Sequence, residues 1–524
     1  MNVSKGKIIP LFHKNLLTKR YIYVILLARN RESCILTDQI SRQKRRIAYE
    51  RISEMGNSIE TFAEFVADLR YEDLPGKVTG YTKELLLDTL GCGVAGVTSD
   101  KGKWGIGFAR RCYGGQREAT VLGYGDRLSV MGAAFANAEL INGLDFEAAG
   151  LHVPPYVLPG VFALAEAENR SGKDVILASA LALEVGTRIA RGLIQQPKVV
   201  EAGKESGISP VFGPCSAVFG AAAGAAKTAG FGRHETAHAM GMAGVLSPVP
   251  SQASMHRDLP VNSGKYLMAG WGAQTGITAT ELIRAGHRGN LQVLDSEFGY
   301  WRFTGQAGWD REKALGGLGE KWEFLTTTPY KRFPCCGMMH GGLECLHDLI
   351  AEAGLKPEEI ESIHLRLDPT SSEAMFQNQK LDNQIDTQFS VRYNMALMAL
   401  GIQPGINWQN NANLQNPAVI EMMEKISAGV HPECGPAMEK DSRARINDVT
   451  IRARGRTYRK EIRFIKGTVT AGAAMEVSEE ERLRKFRDNT LLILPQWKSD
   501  RAIECLLHLE KVEQFGEVME LLAV

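Results

Sequence analysis

Gly220-Ala221-Ala222-Ala223-Gly224-Ala225-Ala226 is the stretch that says most about the fold of this chain. All seven residues are glycine or alanine, and such small side chains let helix backbones approach one another closely. Glycine is frequent elsewhere too, at 54 of 524 residues, or about 10% against a usual share of roughly 7%. The composition therefore predicts closely packed helices rather than an open sheet.

Apolar residues continue at helical spacing on both sides of this stretch. Phe62, Phe65, Val66 and Leu69 recur at the spacing of one helix face. Further segments with this pattern, or rich in alanine and leucine, are 78–93, 131–144, 161–194, 215–230, 234–246 and 265–285. Pro154, Pro155 and Pro159 predict a loop over residues 145–156 between two of these segments.

The pattern changes near residue 325. Ile363, Leu365 and Leu367 alternate with polar residues, as in a strand, and residues 449–454 and 456–465 flank Gly455 as in a hairpin. Helical patterns then return. Ser478 is a predicted N-cap before three glutamates, and residues 501–522 predict an amphipathic helix.

These patterns predict a mostly α fold, with a discontinuous all-helical domain and a smaller α+β lid domain. We assign residues 55–326 to the helical domain and 327–468 to the lid, after which helices at 469–524 return to the helical domain. The boundary between such a core and its lid is a frequent place for a ligand pocket.

The first residues differ from the rest in charge. Residues 1–52 hold twelve Lys or Arg and three acidic residues, a net charge of +9, whereas the whole chain has +1. We expect residues 1–54 to be a basic extension, disordered or not native, because Met55 opens a segment that resembles an ordinary domain start. An organelle-import segment is the alternative interpretation, and otherwise we expect a cytoplasmic protein.

Several functional classes are disfavoured by composition and motifs. A net charge near zero argues against nucleic acid and anionic membranes as partners, and the longest early apolar run, 21–28, is too short to cross a bilayer. Nine cysteines without framework spacing predict a reduced compartment. Cys335-Cys336 has no second pair at zinc spacing, and no phosphate-loop or dinucleotide pattern is present. Phosphate, nicotinamide and zinc chemistry are therefore disfavoured.

Two polar segments supply candidate acids and bases. Asp145 lies in Asn142-Gly143-Leu144-Asp145-Phe146-Glu147 and precedes His152, so one loop holds a base and a potential conjugate acid. The alternative is a solvated acidic turn after a helix. Tyr393, in the segment 386–393, could place a phenol near a developing oxyanion, although a structural tyrosine is the commoner case.

Two basic segments supply candidate carboxylate ligands. Lys265 opens a predicted helix, where the macrodipole disfavours a cation unless an anion such as a substrate carboxylate offsets it. Lys331 and Arg332 lie at the predicted domain boundary, and an arginine can bind a carboxylate through two nitrogens. The alternatives are a surface lysine and a charged linker. His340, farther along, is expected to be a packed histidine rather than a catalyst.

Taken together and in this order, these segments resemble the MmgE/PrpD family, which includes 2-methylcitrate dehydratase, cis-aconitate decarboxylase and an iminodisuccinate epimerase. The similar segments are 131–166, 265–277, 331–340 and 386–393, and the resemblance extends from about residue 57 to the C-terminus. It implies a discontinuous helical domain, an α+β lid, a homodimer, and no metal or organic cofactor. It assigns to the active site Asp145, His152, Lys265, Lys331 and Tyr393.

Three departures from the family pattern concern polar groups. Glu147-Ala148-Ala149 replaces the family's Asp-Asp-Thr, a family His-Pro element falls near Val211-Phe212, and Met268 stands where many members have histidine. Each lost polar group removes one contact to a carboxylate or hydroxyl. We therefore expect a substrate that is smaller or less charged than methylcitrate.

The resemblance predicts a cofactor-independent lyase that acts by acid–base chemistry on a small di- or tricarboxylate. Lys265, Lys331 and Arg332 would bind carboxylates, His152 and Asp145 would act together as base or acid, and Tyr393 would donate a proton. A 2-methylcitrate dehydratase-like activity comes first, a cis-aconitate decarboxylase-like activity second, and an epimerase or isomerase third. An inactive carboxylate-binding scaffold is the alternative of another class. Because unliganded lysines repel each other, replacing either with methionine should barely change the melting temperature.

Overall fold

The computed structural model describes residues 56–148, 153–196, 199–200, 207–208, 214–248, 252–468, 472 and 475–524. Residues 58–524 belong to one compact unit. The predicted extension at 1–54, His152 and the pair Val211-Phe212 lie outside the described residues, so what was predicted for them stays a prediction. Among the helices in the described ranges, none combines the length and the apolar character needed to cross a membrane.

Within the described residues, ten helices of six or more residues precede residue 285. They are α1 (Ser58–Asp68), α2 (Gly76–Ala95), α3 (Asp100–Tyr113), α4 (Val130–Ile141), α5 (Val153–Ala167), α6 (Gly172–Gly192), α7 (Ala217–Thr228), α8 (Arg233–Val245), α9 (Gln252–Arg257) and α10 (Ala269–Arg284). Three short antiparallel pairs join Ala119–Thr120 to Arg127–Leu128, Leu193–Ile194 to Gly308–Trp309, and Val199–Val200 to Gly207–Ile208.

Helix α7 carries the glycine–alanine stretch and packs against α5, α6, α8 and α10. A Cβ atom on Gly220 would lie 2.4 Å from the carbonyl oxygen of Ala182, and one on Gly224 would lie 2.8 Å from a methyl carbon of Val161. Glycine is needed at both positions because larger side chains would push the neighbouring helices away. The prediction of closely packed helices is confirmed.

A mixed α+β part follows. Its sheet contains β1 (Ile360–Leu367), β2 (Ile426–Val430), β3 (Asn447–Ala453) and β4 (Arg456–Ile462) in the order β4-β3-β1-β2, with only β1 and β2 parallel. The predicted hairpin is confirmed, and Gly455 turns it with a φ of +65°. Its longer helices are α11 (His340–Ala353), α12 (Val391–Ala399), α13 (Pro417–Glu424) and α14 (Cys434–Lys440).

The last helices return to the first core. They are α15 (Glu479–Thr490), α16 (Gln496–Leu507) and α17 (Gly516–Leu521), and α15 packs on α2. One apolar core combines residues of 59–324 with residues of 486–522, and a second lies within 255–462. Ser478 caps α15 as predicted, since its Oγ accepts from the Glu481 N–H. The mostly α fold with a small α+β part is confirmed, whereas the domain boundaries stay a prediction.

Three local predictions are wrong in part. Residues 153–156 are not a loop, because α5 begins at Val153 and includes all three prolines; two of them occupy the first turn, where no N–H is needed. Lys265 does not open a helix but lies in a turn before α10, with a φ of +52°. The predicted helix at 501–522 breaks after Leu507, because the 508–515 segment bonds to the turn at 170–172 instead.

Candidate active site

Asp145 lies at the centre of a fully buried charged cluster. Helix α4 ends at Ile141, and the chain then turns so that Asp145 adopts a φ of +55°, a conformation that few residues other than glycine adopt. This turn directs the carboxylate into the protein, where the side chain is 0% exposed. The predicted alternative, a solvated acidic turn, is wrong.

Two lysines bind this carboxylate from different parts of the chain. Lys265 Nζ is 3.0 Å from Asp145 Oδ1 and donates also to the Asn142 carbonyl at 2.9 Å. Lys331 Nζ is 2.8 Å from Asp145 Oδ2 and 2.8 Å from the Asp145 carbonyl. An ammonium carries three N–H donors, and these bonds to described residues use two of them on each lysine. The alternatives of a surface lysine and a charged linker are wrong.

The opposite charges in this cluster stabilise one another. Burial opposes the charge on Lys331, but the nearby carboxylates of Asp145 and Glu147 outweigh it and raise the pKa of Lys331 above its ordinary value. Lys331 is therefore an ammonium at neutral pH. The premise that the two unliganded lysines only repel each other is wrong, because Asp145 is paired with both.

A third lysine, which the sequence analysis missed, supports the cluster from α15. Lys485 Nζ donates to the Asp88 carboxylate at 2.6 Å, the Phe146 carbonyl at 2.7 Å and the Lys331 carbonyl at 3.0 Å. All three of its donors are thus used. Asp88 in turn accepts from the Ala148 N–H at 2.9 Å. Lys485 therefore fixes the backbone on both sides of the Asp145–Lys331 pair, and nothing in its local sequence indicates this role.

Two glutamines hold the Asp145 turn from the other side. Gln388 Nε2 donates to the Gly143 carbonyl and to Gln409 Oε1, both at 2.8 Å. Gln409 Nε2 donates to the Leu144 carbonyl at 2.6 Å and the Pro334 carbonyl at 2.7 Å. The predicted segment 386–393 therefore does reach the cluster, but through Gln388, which the sequence analysis did not single out.

Tyr393 lies in the second apolar core, on α12. Its hydroxyl donates to the Trp408 carbonyl at 2.7 Å, and burial raises its pKa above the ordinary value. A phenol that bonds to a backbone carbonyl in this way fixes the segment around Trp408. Its predicted role as a proton donor stays a prediction.

The contacts of Arg332 and His340 are with residues around the start of α11. Arg332 Nη1 is 3.3 Å from Glu344 Oε1, and burial raises the pKa of Glu344 to about 7 although the Lys466 N–H and Arg332 oppose this. His340 packs against Phe333 with ring centroids 5.1 Å apart. Burial and the charge of Lys331 lower the pKa of His340 to about 3, so it is a neutral, packed histidine at physiological pH.

A cavity of about 300 Å³ lies beside the segment that carries Lys265. Ser263 and Met268 line it together with aromatic side chains, namely Trp104, Phe108, Phe135 and Trp271. Its polar lining includes the buried Lys101–Glu139 pair. Burial and the charge of Lys265 lower the pKa of Lys101, against the effect of Glu139. The cavity is therefore mainly apolar, and Met268 contributes to that character.

A possible metal-ligand group lies elsewhere, on the sheet. His431, Asp448 and Glu461 have ligand atoms within 4.8 Å of one another. However, Arg366 and Arg459 both donate to the Asp448 carboxylate. Two guanidinium groups bonded to the same carboxylate would repel a metal cation. We therefore interpret His431, Asp448 and Glu461 as part of an ion-pair network.

Family models agree with this arrangement of a helical first part and a mixed second part. The model of the MmgE/PrpD N-terminal domain matches residues 60–311, and that of the C-terminal domain matches residues 333–511. The chain belongs to the MmgE/PrpD family. The resemblance stated from the sequence is thereby confirmed.

The MmgE/PrpD chain is similar to several proteins named cis-aconitate decarboxylase. The protein of Aspergillus terreus is 26% identical over 401 residues, which cover 70% of this chain and 77% of that relative. The protein of Homo sapiens is 26% identical over 482 residues, with 88% and 94% covered. That of Mus musculus is 24% identical over 482 residues, with 88% and 93% covered.

Of the residues that the MmgE/PrpD resemblance assigns to the site, the structure brings Asp145, Lys265 and Lys331 into direct contact. His152 lies outside the described residues. The described part of the site therefore holds one carboxylate between two ammonium groups, with Glu147 held nearby through the Asn142 side chain at 2.8 Å.

Proposed function

We propose that this protein is a lyase that acts by acid–base chemistry on a small polycarboxylate, and that decarboxylation is its reaction. The observation that carries the proposal is the shared carboxylate of Asp145, which holds the ammonium groups of Lys265 and Lys331 side by side in a buried site. Two cations held on one buried carboxylate are suited to bind a substrate carboxylate.

The proposal changes the order given by the sequence analysis, which put a dehydratase first. Relatives over most of the chain are named cis-aconitate decarboxylase. Dehydration also needs groups that bind and protonate a leaving hydroxyl, and Ala148 and Met268 stand where the family has polar side chains. Loss of CO₂ from an unsaturated polycarboxylate needs no such group.

Decarboxylation requires two things of the site, namely stabilisation of the developing negative charge and delivery of a proton. When CO₂ leaves, the electron pair of the broken C–C bond spreads through the neighbouring double bond toward a retained carboxylate. Lys265 and Lys331 would stabilise that negative charge, since fixed cations in a water-poor site act strongly on charge that develops during the reaction. A proton must then be delivered to carbon, for which His152 and Tyr393 are our candidate donors, with Asp145 positioning the lysines.

Product formation by the pure protein tests this proposal. We would incubate the full chain with cis-aconitate, 2-methylcitrate and citrate separately in deuterated buffer and follow the products by proton NMR. We expect a decarboxylated product with one solvent deuterium on carbon from cis-aconitate. Water loss from a hydroxylated substrate would instead establish the dehydratase. If no substrate is turned over but the carboxylates raise the melting temperature of the protein, the protein is a binding scaffold.

We also propose that the protein is a homodimer, as the family resemblance implies. Light scattering coupled to size exclusion measures the mass directly, and a monomer mass at micromolar concentration would contradict the proposal.

A further inference from the structure

Two histidines on α8 bring their ring nitrogens together at the protein surface. His234 and His238 are four residues apart, so they lie on the same face of the helix. Their Nε2 atoms are 3.2 Å apart. His234 is exposed, whereas His238 is 8% exposed. Neither residue takes part in the Asp145 cluster or in the proposed reaction.

We propose that His234 and His238 form a binding site for one divalent transition-metal ion. Imidazole nitrogens bind zinc at about 2.0–2.1 Å. An ion at that distance from two nitrogens 3.2 Å apart subtends an angle of roughly 100°, between the values of tetrahedral and octahedral coordination. The distance between the two nitrogens therefore fits two adjacent positions of a coordination sphere.

The second nitrogen of His238 is held by the backbone of Gly289. His238 Nδ1 is 3.2 Å from the Gly289 carbonyl oxygen and 3.2 Å from the Gly289 amide nitrogen, so Gly289 anchors the ring in either tautomer. Histidines that bind metals almost always donate their other N–H to a carbonyl or carboxylate, which fixes the ring and directs the lone pair of the ligating nitrogen. In the tautomer whose Nδ1–H donates to the Gly289 carbonyl, Nε2 of His238 presents its lone pair toward His234. In the other tautomer the Gly289 N–H donates to Nδ1, and a metal ion would displace the Nε2 proton to Nδ1 or to solvent. The open side at His234 leaves the remaining coordination positions to water.

The charges near this histidine pair do not exclude a cation. Arg233 precedes His234, but its guanidinium is paired with the carboxylates of Glu64 and Asp68. These three groups together carry one negative charge when all are ionised. Their charge offsets the unfavourable dipole at the start of α8 for an approaching cation.

Calorimetric titration of the full chain, without a histidine tag and after treatment with chelator, tests the site. We would titrate Ni²⁺, Zn²⁺ and Mg²⁺ separately. We expect one saturable site for Ni²⁺ and Zn²⁺ and none for Mg²⁺, which prefers oxygen ligands. The melting temperature should rise with Ni²⁺, because an ion that binds only the folded protein stabilises it.

Variants decide whether the two histidines are the ligands. Changes in the outer shell of metal sites already cost about 10- to 100-fold in affinity, so His234→Ala and His238→Ala should each weaken Ni²⁺ binding by at least about 10-fold. His347→Ala, at an exposed histidine on α11, is the matched control and should keep the parental affinity. Because His234 is exposed, its variant should fold even if His238→Ala does not. Parental affinity in His234→Ala, or no saturable binding by the parent, would overturn the proposal.

Discussion

Asp145 and Lys331 are 186 positions apart, and their side chains form an ion pair of 2.8 Å that is at most 1% exposed. Lys331 Nζ also donates to the backbone carbonyl of Asp145 at 2.8 Å, so two bonds fix their relative position. A buried charge without its partner is strongly destabilising. Each residue therefore stabilises the charge of the other, and the pair joins the turn after α4 to the segment before α11.

Methionine at position 331 should impair both activity and stability. Lys331→Met removes the ammonium but keeps most of the length of the side chain. A charge-assisted contact to substrate contributes about 1.5–3 kcal/mol, so we expect kcat/KM to fall roughly 10- to 100-fold. The melting temperature should also fall, because Asp145 then keeps only Lys265. Steady-state kinetics and thermal unfolding measure the two effects.

A double variant separates the two effects of this change. Lys331→Met combined with Asp145→Asn removes both charges of the pair, so part of the lost stability should return while turnover stays low. Lys265→Met should behave like Lys331→Met. If both methionine variants turn substrate over within about twofold of the parent, the carboxylates bind elsewhere.

Lys485 should be important for folding rather than for binding. Lys485→Met leaves the buried Asp88 carboxylate without its cation and frees two backbone carbonyls. Breaking a buried pair costs about 3–5 kcal/mol, so urea unfolding should show a loss of this size. Lys460→Met is the control, because its partners Asp348 and Glu352 lie at the surface and such pairs contribute about 1 kcal/mol or less. Equal losses in the two variants would contradict this role.

The features that the sequence predicted correctly depend on neighbouring residues. The glycine–alanine stretch of α7, the hairpin at Gly455 and the cap at Ser478 are each determined within a few positions. The proline-rich start of α5 was misjudged because the first turn of a helix tolerates proline. The prolines alone do not show at which residue α5 begins, so they could not distinguish a first helical turn from a loop.

The supporting residues of the site could not be predicted because their partners lie far away in the sequence. Lys485 contacts Asp88, 397 positions away, and Gln388 contacts Gly143, 245 positions away. A lysine in a helix with many charged residues looks like a solvent-exposed residue. The turn at Lys265, with its positive φ, is likewise a property of the folded chain, in which its ammonium contacts the distant residues Asn142 and Asp145.

Chelators should leave turnover unchanged. In the described part of the site, the Asp145 carboxylate is bound by two lysines, which compete with any cation for the same oxygens. We therefore expect parental kcat/KM in EDTA, even where Ni²⁺ had raised the melting temperature. Turnover that EDTA abolishes and that added metal restores would show that the reaction needs a metal.

His340 should make the protein less stable in mild acid. Burial and Lys331 lower its pKa from 6.5 to about 3, so between these values the unfolded chain binds a proton that the folded chain does not. Stability therefore falls as pH falls, by about 1.4 kcal/mol per pH unit, or about 2 kcal/mol between pH 7 and pH 5.

The variant His340→Gln tests this prediction because glutamine does not titrate. Its amide N–H can replace the ring N–H of His340, whose Nε2 lies 3.3 Å from the Cys335 carbonyl oxygen. Other titrating groups, Glu344 among them, are present in both proteins and cancel in the comparison. We expect urea unfolding at pH 7 and pH 5 to show a smaller acid loss in His340→Gln than in the parent, and the parental loss in the exposed control His347→Gln. Equal losses in the parent and His340→Gln would mean that His340 accepts a proton in the folded protein as readily as in the unfolded chain.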